Sequence, residues 1–157
     1  MRLSVRELLV GAAVLVALLA LLVAHRRSTA PAIRASAALT PGALNPDVTQ
    51  ATIRSTICVR GWTRTVRPPV DYTDALKLRQ MHRYGEAGSP SRYQEDHLIS
   101  LELGGDPSDP RNLWPEPYPR AAEVDRIENE LNAQVCSGSL SLADAQTRES
   151  ALKHGQG

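Results

Sequence analysis

The stretch from Tyr93 to Pro115, YQEDHLISLELGGDPSDPRNLWP, concentrates the residue types that can do chemistry. Asp96 and His97 are adjacent. Aliphatic residues follow, then Gly104-Gly105, then Asn112-Leu113. A carboxylate is a natural ligand for a hard divalent cation such as Mg²⁺. An imidazole near its ordinary pKa takes a proton from water at neutral pH. The two together are parts of a hydrolytic centre, although an isolated Asp-His dipeptide is also a common surface or structural pair. The double glycine permits a tight turn.

In this order and spacing the stretch resembles the HNH (ββα-metal) endonuclease family, whose pattern is Asp-His, aliphatics, a Gly-Gly turn, then Asn-Leu leading toward a helix. The resemblance covers about 20 residues, or about 40 with the following helix. It implies phosphodiester hydrolysis, with Asp96 as a metal ligand and His97 as the general base that activates water. It implies that Asn112 fixes the His97 ring by a hydrogen bond. One divalent ion is implied, Mg²⁺ first, with Mn²⁺, Zn²⁺ or Ni²⁺ as alternatives. The family's further ligand stands on the helix, about nine residues beyond the motif Asn. Here that position is Ala121. Asp125 and Glu123, in the first turns of the helix, are the preferred substitutes, with Glu128 and Asn129 also available. The missing ligand leaves a second reading open: a catalytically inactive HNH-like binding or structural module of the cell envelope.

Several elements must position these residues. Asn45-Pro46 reads as a helix start, giving a short helix to about Ile57. Thr63–Arg67 alternates and reads as a short strand stopped by Pro68-Pro69. Thr73 caps a helix over about Asp74–Tyr84 that stops at Gly85. Residues 93–113 are strand and loop. Pro115, Pro117 and Pro119 argue against regular structure before Arg120. Val124, Ile127, Leu131 and Val135 then mark one face of a helix ending near Cys136. Ser141 caps a last helix, Leu142 to about Lys153. The fold class is α+β: a small ββα-metal core with flanking helices, preceded by an N-terminal hydrophobic helix.

The chain has 157 residues and a net charge of +1, which fits one domain. The average conceals three parts. Residues 8–24 are uncharged and apolar, flanked by Arg2 and Arg6 before and His25-Arg26-Arg27 after. Such a run is either an uncleaved transmembrane anchor or a signal segment. Residues 1–27 are therefore read as anchor or signal, 28–44 as a Pro- and Ala-rich linker, and 45–157 as the HNH-like domain. The domain is expected outside the cytoplasm, membrane-anchored or secreted, and monomeric. Residues 48–93 carry eight basic against three acidic side chains; residues 94–157 carry five against twelve. A basic face can meet phosphates beside a carboxylate-rich one. Arg60, Arg64 and Arg67 are the expected nucleic-acid contacts, with DNA favoured over RNA, and Trp62 among them can stack on a base. Trp114 reads as a core anchor. Cys58 and Cys136 are the only thiols. In an exported domain they form one disulfide; two buried free thiols are the alternative.

Overall fold

The computed structural model describes residues 34–155. The apolar run at 8–24, and with it the expected anchor or signal, lies outside the described residues. Among the described residues no helix is long and apolar enough to cross a membrane.

The architecture is α+β, with four α-helices and one two-stranded antiparallel sheet among the described residues. The helices are α1 (Trp62–Val66), α2 (Val70–Tyr84), α3 (Tyr118–Ser137) and α4 (Leu142–His154); the strands are β1 (Tyr93–His97) and β2 (Leu113–Pro117). The chain order β1, loop, β2, α3 is a ββα unit.

The sheet accommodates prolines that the sequence reading took as breakers. Register pairs Asp96 with Trp114, Glu95 with Pro115 and Tyr93 with Pro117. Leu98 N–H donates to the Asn112 carbonyl at 2.7 Å. Antiparallel bonding alternates from there, so the positions of Pro115 and Pro117 need no N–H toward β1. With only two strands, both are edges, where proline is tolerated. Structure therefore begins at Leu113 rather than Arg120, and α3 continues directly from the strand.

The expected strand at Thr63–Arg67 is instead helix α1. Nothing stands beside it to pair with. As a helix it places Trp62 against the core, partly buried, and Arg67 leaves it in extended conformation before Pro68. The expected helix from Asn45 is also replaced, by turns and a 3₁₀ turn at Ile53–Ser55. There the Asn45 side chain accepts from Asp47 N and the Thr52 hydroxyl donates to Asp47 O. Such side-chain bonds compete with helix formation. Helix α2 starts four residues before the expected Asp74, and Thr73, read as its cap, donates to Val70 O inside it. Its stop at Gly85, in the left-handed region, is as expected. Ser141 caps α4 as expected, accepting from Asp144 N.

One core gathers Val48, Ile53, Ile57, Ile99, Leu131 and Val135 with the start of α4. Trp114 is wholly buried with Leu98 and Ala35, as an anchor should be. Residues 34–44, expected as linker, pack onto the domain instead. Ala35 N donates to Lys153 O, the Thr40 hydroxyl lies 2.7 Å from the Tyr84 hydroxyl, and Gly42 N donates to Arg111 O.

Cys58 and Cys136 form the expected disulfide, across a sequence separation of 78. It ties the segment before α1 to the end of α3. Bonds of this kind persist in oxidising, extracytoplasmic environments. A loop this long is worth about 4 kcal/mol on the chain-entropy account. We therefore expect the double variant Cys58→Ala/Cys136→Ala to fold with a urea-denaturation stability lower by about that amount.

Candidate functional site

The loop between the strands builds the site. Gly104 sits in the left-handed region, at φ +77. Gly105 is required for a different reason: a Cβ there would lie 1.8 Å from the Ile99 carbonyl oxygen and 2.6 Å from Asn112 Nδ2. That bare space admits the Asn112 amide, which is fully buried. Its Oδ1 accepts from Ile99 N at 3.0 Å, and its Nδ2 donates to Ile99 O and Asp106 O, both at 3.0 Å. Asp106 Oδ1 then accepts from Ser108 N and Asp109 N. The loop is thus closed from both ends.

The expected direct bond from Asn112 to the His97 ring is not what the structure contains. Asn112 fixes Asp106, and the next carbonyl, Pro107 O, lies 3.0 Å from His97 Nε2. A carbonyl only accepts, so Nε2 carries the proton and Nδ1 holds the lone pair. Asn112 therefore sets the His97 tautomer through the loop rather than by touch. Burial lowers the His97 pKa, partly offset by Asp96, so the imidazole is neutral at pH 7.

His97 lines a cleft of about 240 Å³ with Arg67, Glu95, Asp96, Asp125 and Glu128. Burial alone would raise the Asp96 pKa, but the Lys153 ammonium holds it below the ordinary value. Lys153 is fully buried. Its Nζ donates to Asp96 Oδ2 at 2.8 Å, to Glu128 Oε1 at 2.6 Å and to the His97 carbonyl, and lies 3.4 Å from Glu149 Oε1. Glu149 accepts from Ser100 N through both oxygens. Burial raises its pKa to about 8. Burial and the Asp96 charge raise Glu116, beside it on the sheet, to about 8 as well. Glu95 reaches about 8 chiefly through burial, and neither of its oxygens has a partner.

The residues expected at the site divide clearly. Asp96, His97 and Asp125 come together in the cleft, and Asn112 supports it from the loop. Glu123 is exposed on α3 and does not line the cleft. Glu128 takes its place. Ala121, Asp125 and Glu128 fall at i, i+4 and i+7, one stripe of the helix. Stepping down that stripe from the vacant ligand position was the available signal. Of the three arginines, Arg67 lines the cleft, Arg64 is exposed on α1, and Arg60 lines a second cavity. Sequence reasoning missed Lys153, Glu149 and Glu116. The Glu149–Lys153 pair has the i, i+4 spacing of an ordinary surface ion pair, so nothing local marks it as buried.

Comparison of the chain with protein-family models, with curated proteins and with solved structures gave no match. Among the described residues, no group of three or more His, Cys, Asp and Glu side chains is arranged to hold a metal ion.

Two outcomes follow from this electrostatic arrangement. Removing the ammonium in Lys153→Met leaves Asp96 and Glu128 without their counter-charge, and we expect a loss of about 3–5 kcal/mol in chemical denaturation. The raised carboxyls set the pH dependence. Glu95, Glu116 and Glu149 keep their protons in the folded state above the pH at which the unfolded chain loses its own. Their stabilisation is complete below the unfolded pKa near 4.5 and disappears as pH rises through about 8. His97, depressed, acts oppositely only below its unfolded pKa of about 6.5. The thermal midpoint is thus expected to fall between pH 6.5 and 8.5, by on the order of 5 °C. Glu116→Gln should flatten that fall.

Proposed function

We propose that this protein is a metal-dependent endonuclease of the HNH (ββα-metal) type, hydrolysing nucleic-acid phosphodiester bonds. The reading rests on the resemblance of residues 93–115 to that family. The single observation that carries it is the state of His97: neutral, with Nε2 tied to a carbonyl and no hydrogen bond at Nδ1, on a residue that lines a cleft of carboxylates. Such a nitrogen can take a proton from water. Arg67 offers the cleft a positive charge for the phosphate, and exposed Arg64 extends the basic face along α1.

The donor chemistry fits a hard divalent ion. Asp96, Asp125 and Glu128 offer oxygens along the cleft, and Glu95 has two buried oxygens that no protein group satisfies. The only nearby imidazole has one nitrogen engaged, and both thiols are in the disulfide. This favours Mg²⁺ or Mn²⁺ over Zn²⁺ or Ni²⁺. Once bound, such an ion would neutralise charge on the phosphate and the leaving oxygen. The protein's own part is to orient the His97 ring through Asn112 and the 106–107 backbone, accept the water proton at Nδ1, and hold the phosphate with Arg67. DNA is the favoured substrate and a monomer the favoured state. The disulfide supports action outside the cytoplasm, either anchored through residues 8–24 or secreted.

A second reading, an inactive HNH-like binding module of the cell envelope, has one observation in its favour. The Lys153 ammonium already occupies one oxygen each of Asp96 and Glu128, and Ala121 offers no ligand.

Plasmid nicking separates the two. The purified protein is expected to nick supercoiled DNA with Mg²⁺ or Mn²⁺. His97→Ala should retain the fold by circular dichroism and lose at least about 100-fold in rate. Cleavage at the wild-type rate by His97→Ala would falsify the assignment. Absence of calorimetric heat with Mg²⁺, Mn²⁺, Zn²⁺ and Ni²⁺, together with no nicking, would select the module.

A further inference from the structure

A second cavity, of about 280 Å³, opens between α1 and α3. Arg60, Trp62, Glu102, Asn129 and Asn132 line it, together with the Cys58–Cys136 disulfide. We propose that it is a nucleobase subsite that selects an amine-bearing base, cytosine, adenine or guanine, over thymine or uracil. The inference deepens the endonuclease reading and rests on it for the identity of the ligand.

Three observations support it. The volume is at the small end for a ligand pocket, so it suits one planar heterocycle and not a longer segment. Trp62 is half-buried: it packs against the core and also lines the cavity. An aromatic face held by the core is a stacking platform at little entropic cost.

The polar lining has a definite sense. Asn132 Nδ2 donates to the Glu102 carbonyl at 2.7 Å and the Ile57 carbonyl at 3.4 Å. Asn129 Nδ2 donates to the Asp125 carbonyl at 2.6 Å. Carbonyls only accept, so both amide orientations are fixed. The two Oδ1 atoms are left as acceptors. An acceptor-rich lining pairs with an exocyclic amine, as on adenine N6 or cytosine N4, and meets the O4 of thymine badly.

The cavity also lies in the right place. Glu102 lines both it and the His97 cleft. Helix α1 carries Trp62 at its start, while Arg67 follows its end in the cleft. Five helical residues rise about 7.5 Å. A strand with one phosphate at Arg67 therefore has a neighbouring base within reach of Trp62, and Arg60 at the cavity attracts the adjoining phosphate.

The test uses the full-length protein in EDTA, titrated with (dC)4, (dA)4 and (dT)4 while tryptophan emission is followed. Trp114 is wholly buried, so quenching reports Trp62. Expected are quenching by (dC)4 or (dA)4 and at least 5-fold weaker binding of (dT)4. Trp62→Leu should remove the quenching and weaken (dC)4 binding by about 5- to 100-fold. Asn129 is exposed and outside the core, so Asn129→Leu folds and should abolish the preference over (dT)4 with the quenching retained. Equal affinity for all three oligomers, or no quenching, overturns the subsite. Failure of the nuclease reading is separable. Base-selective quenching in a protein that never nicks DNA leaves the subsite standing and removes the activity. Nicking without quenching does the reverse.

Discussion

A buried ammonium governs this structure. Lys153 has no exposure to water, and an uncompensated charge in that position would cost several kcal/mol. Its partners come from three elements: Asp96 and the His97 carbonyl from β1, Glu128 from α3, and Glu149 from its own helix. Its three donors go to Asp96, the His97 carbonyl and Glu128, so this one ammonium links α4 to the strand and to α3. The same contacts aim the site. The ammonium holds one oxygen each of Asp96 and Glu128, and both residues line the cleft. The C-terminal helix, which lies outside the ββα unit, is thereby part of the site's support.

A second chain of constraint fixes the imidazole. Gly105 has no Cβ, so the Asn112 amide can close on Ile99. That closure holds Asp106, Asp106 positions Pro107, and the Pro107 carbonyl accepts a hydrogen bond from His97 Nε2. The hydrogen bonds along this chain all go to backbone groups, and backbone carbonyls have no tautomers of their own. The direction of the lone pair on Nδ1 is thus set by a loop that contains two prolines and two aspartates. Burial, acting on the same ring, keeps it neutral.

Much of this was legible in the sequence. Periodicity gave the buried face of α3, Gly85 gave the end of α2 and Ser141 the start of α4. The disulfide followed from two cysteines in an export context. Asp96, His97, Asn112 and Arg67 stood out by type and spacing. What failed did so for physical reasons. The Thr63–Arg67 alternation has the period of a strand but no partner strand, so burial of Trp62 decided for a helix. The prolines of β2 read as breakers because edge status and ladder phase are tertiary facts. Residues 34–44 look like linker by composition, yet their backbone finds partners at Tyr84, Arg111 and Lys153. Asn112 was tied to the correct ring but by the wrong route, since the intervening carbonyls are invisible to spacing.

The carboxylates explain why the net charge is such a poor guide to this chain. Glu95, Glu116 and Glu149 are counted as anions in the formal sum, yet burial keeps all three largely protonated at neutral pH. The acidic half of the domain is therefore less negative than its composition, and Lys153 pairs with Asp96 and Glu128 at the site. A phosphate approaching Arg67 consequently meets a cleft with less repulsion than the count of acidic residues suggests. Of the three buried glutamates, only Glu95 lines the cleft, so burial there and the Lys153 ammonium beside Asp96 and Glu128 both reduce the negative charge that the cleft presents.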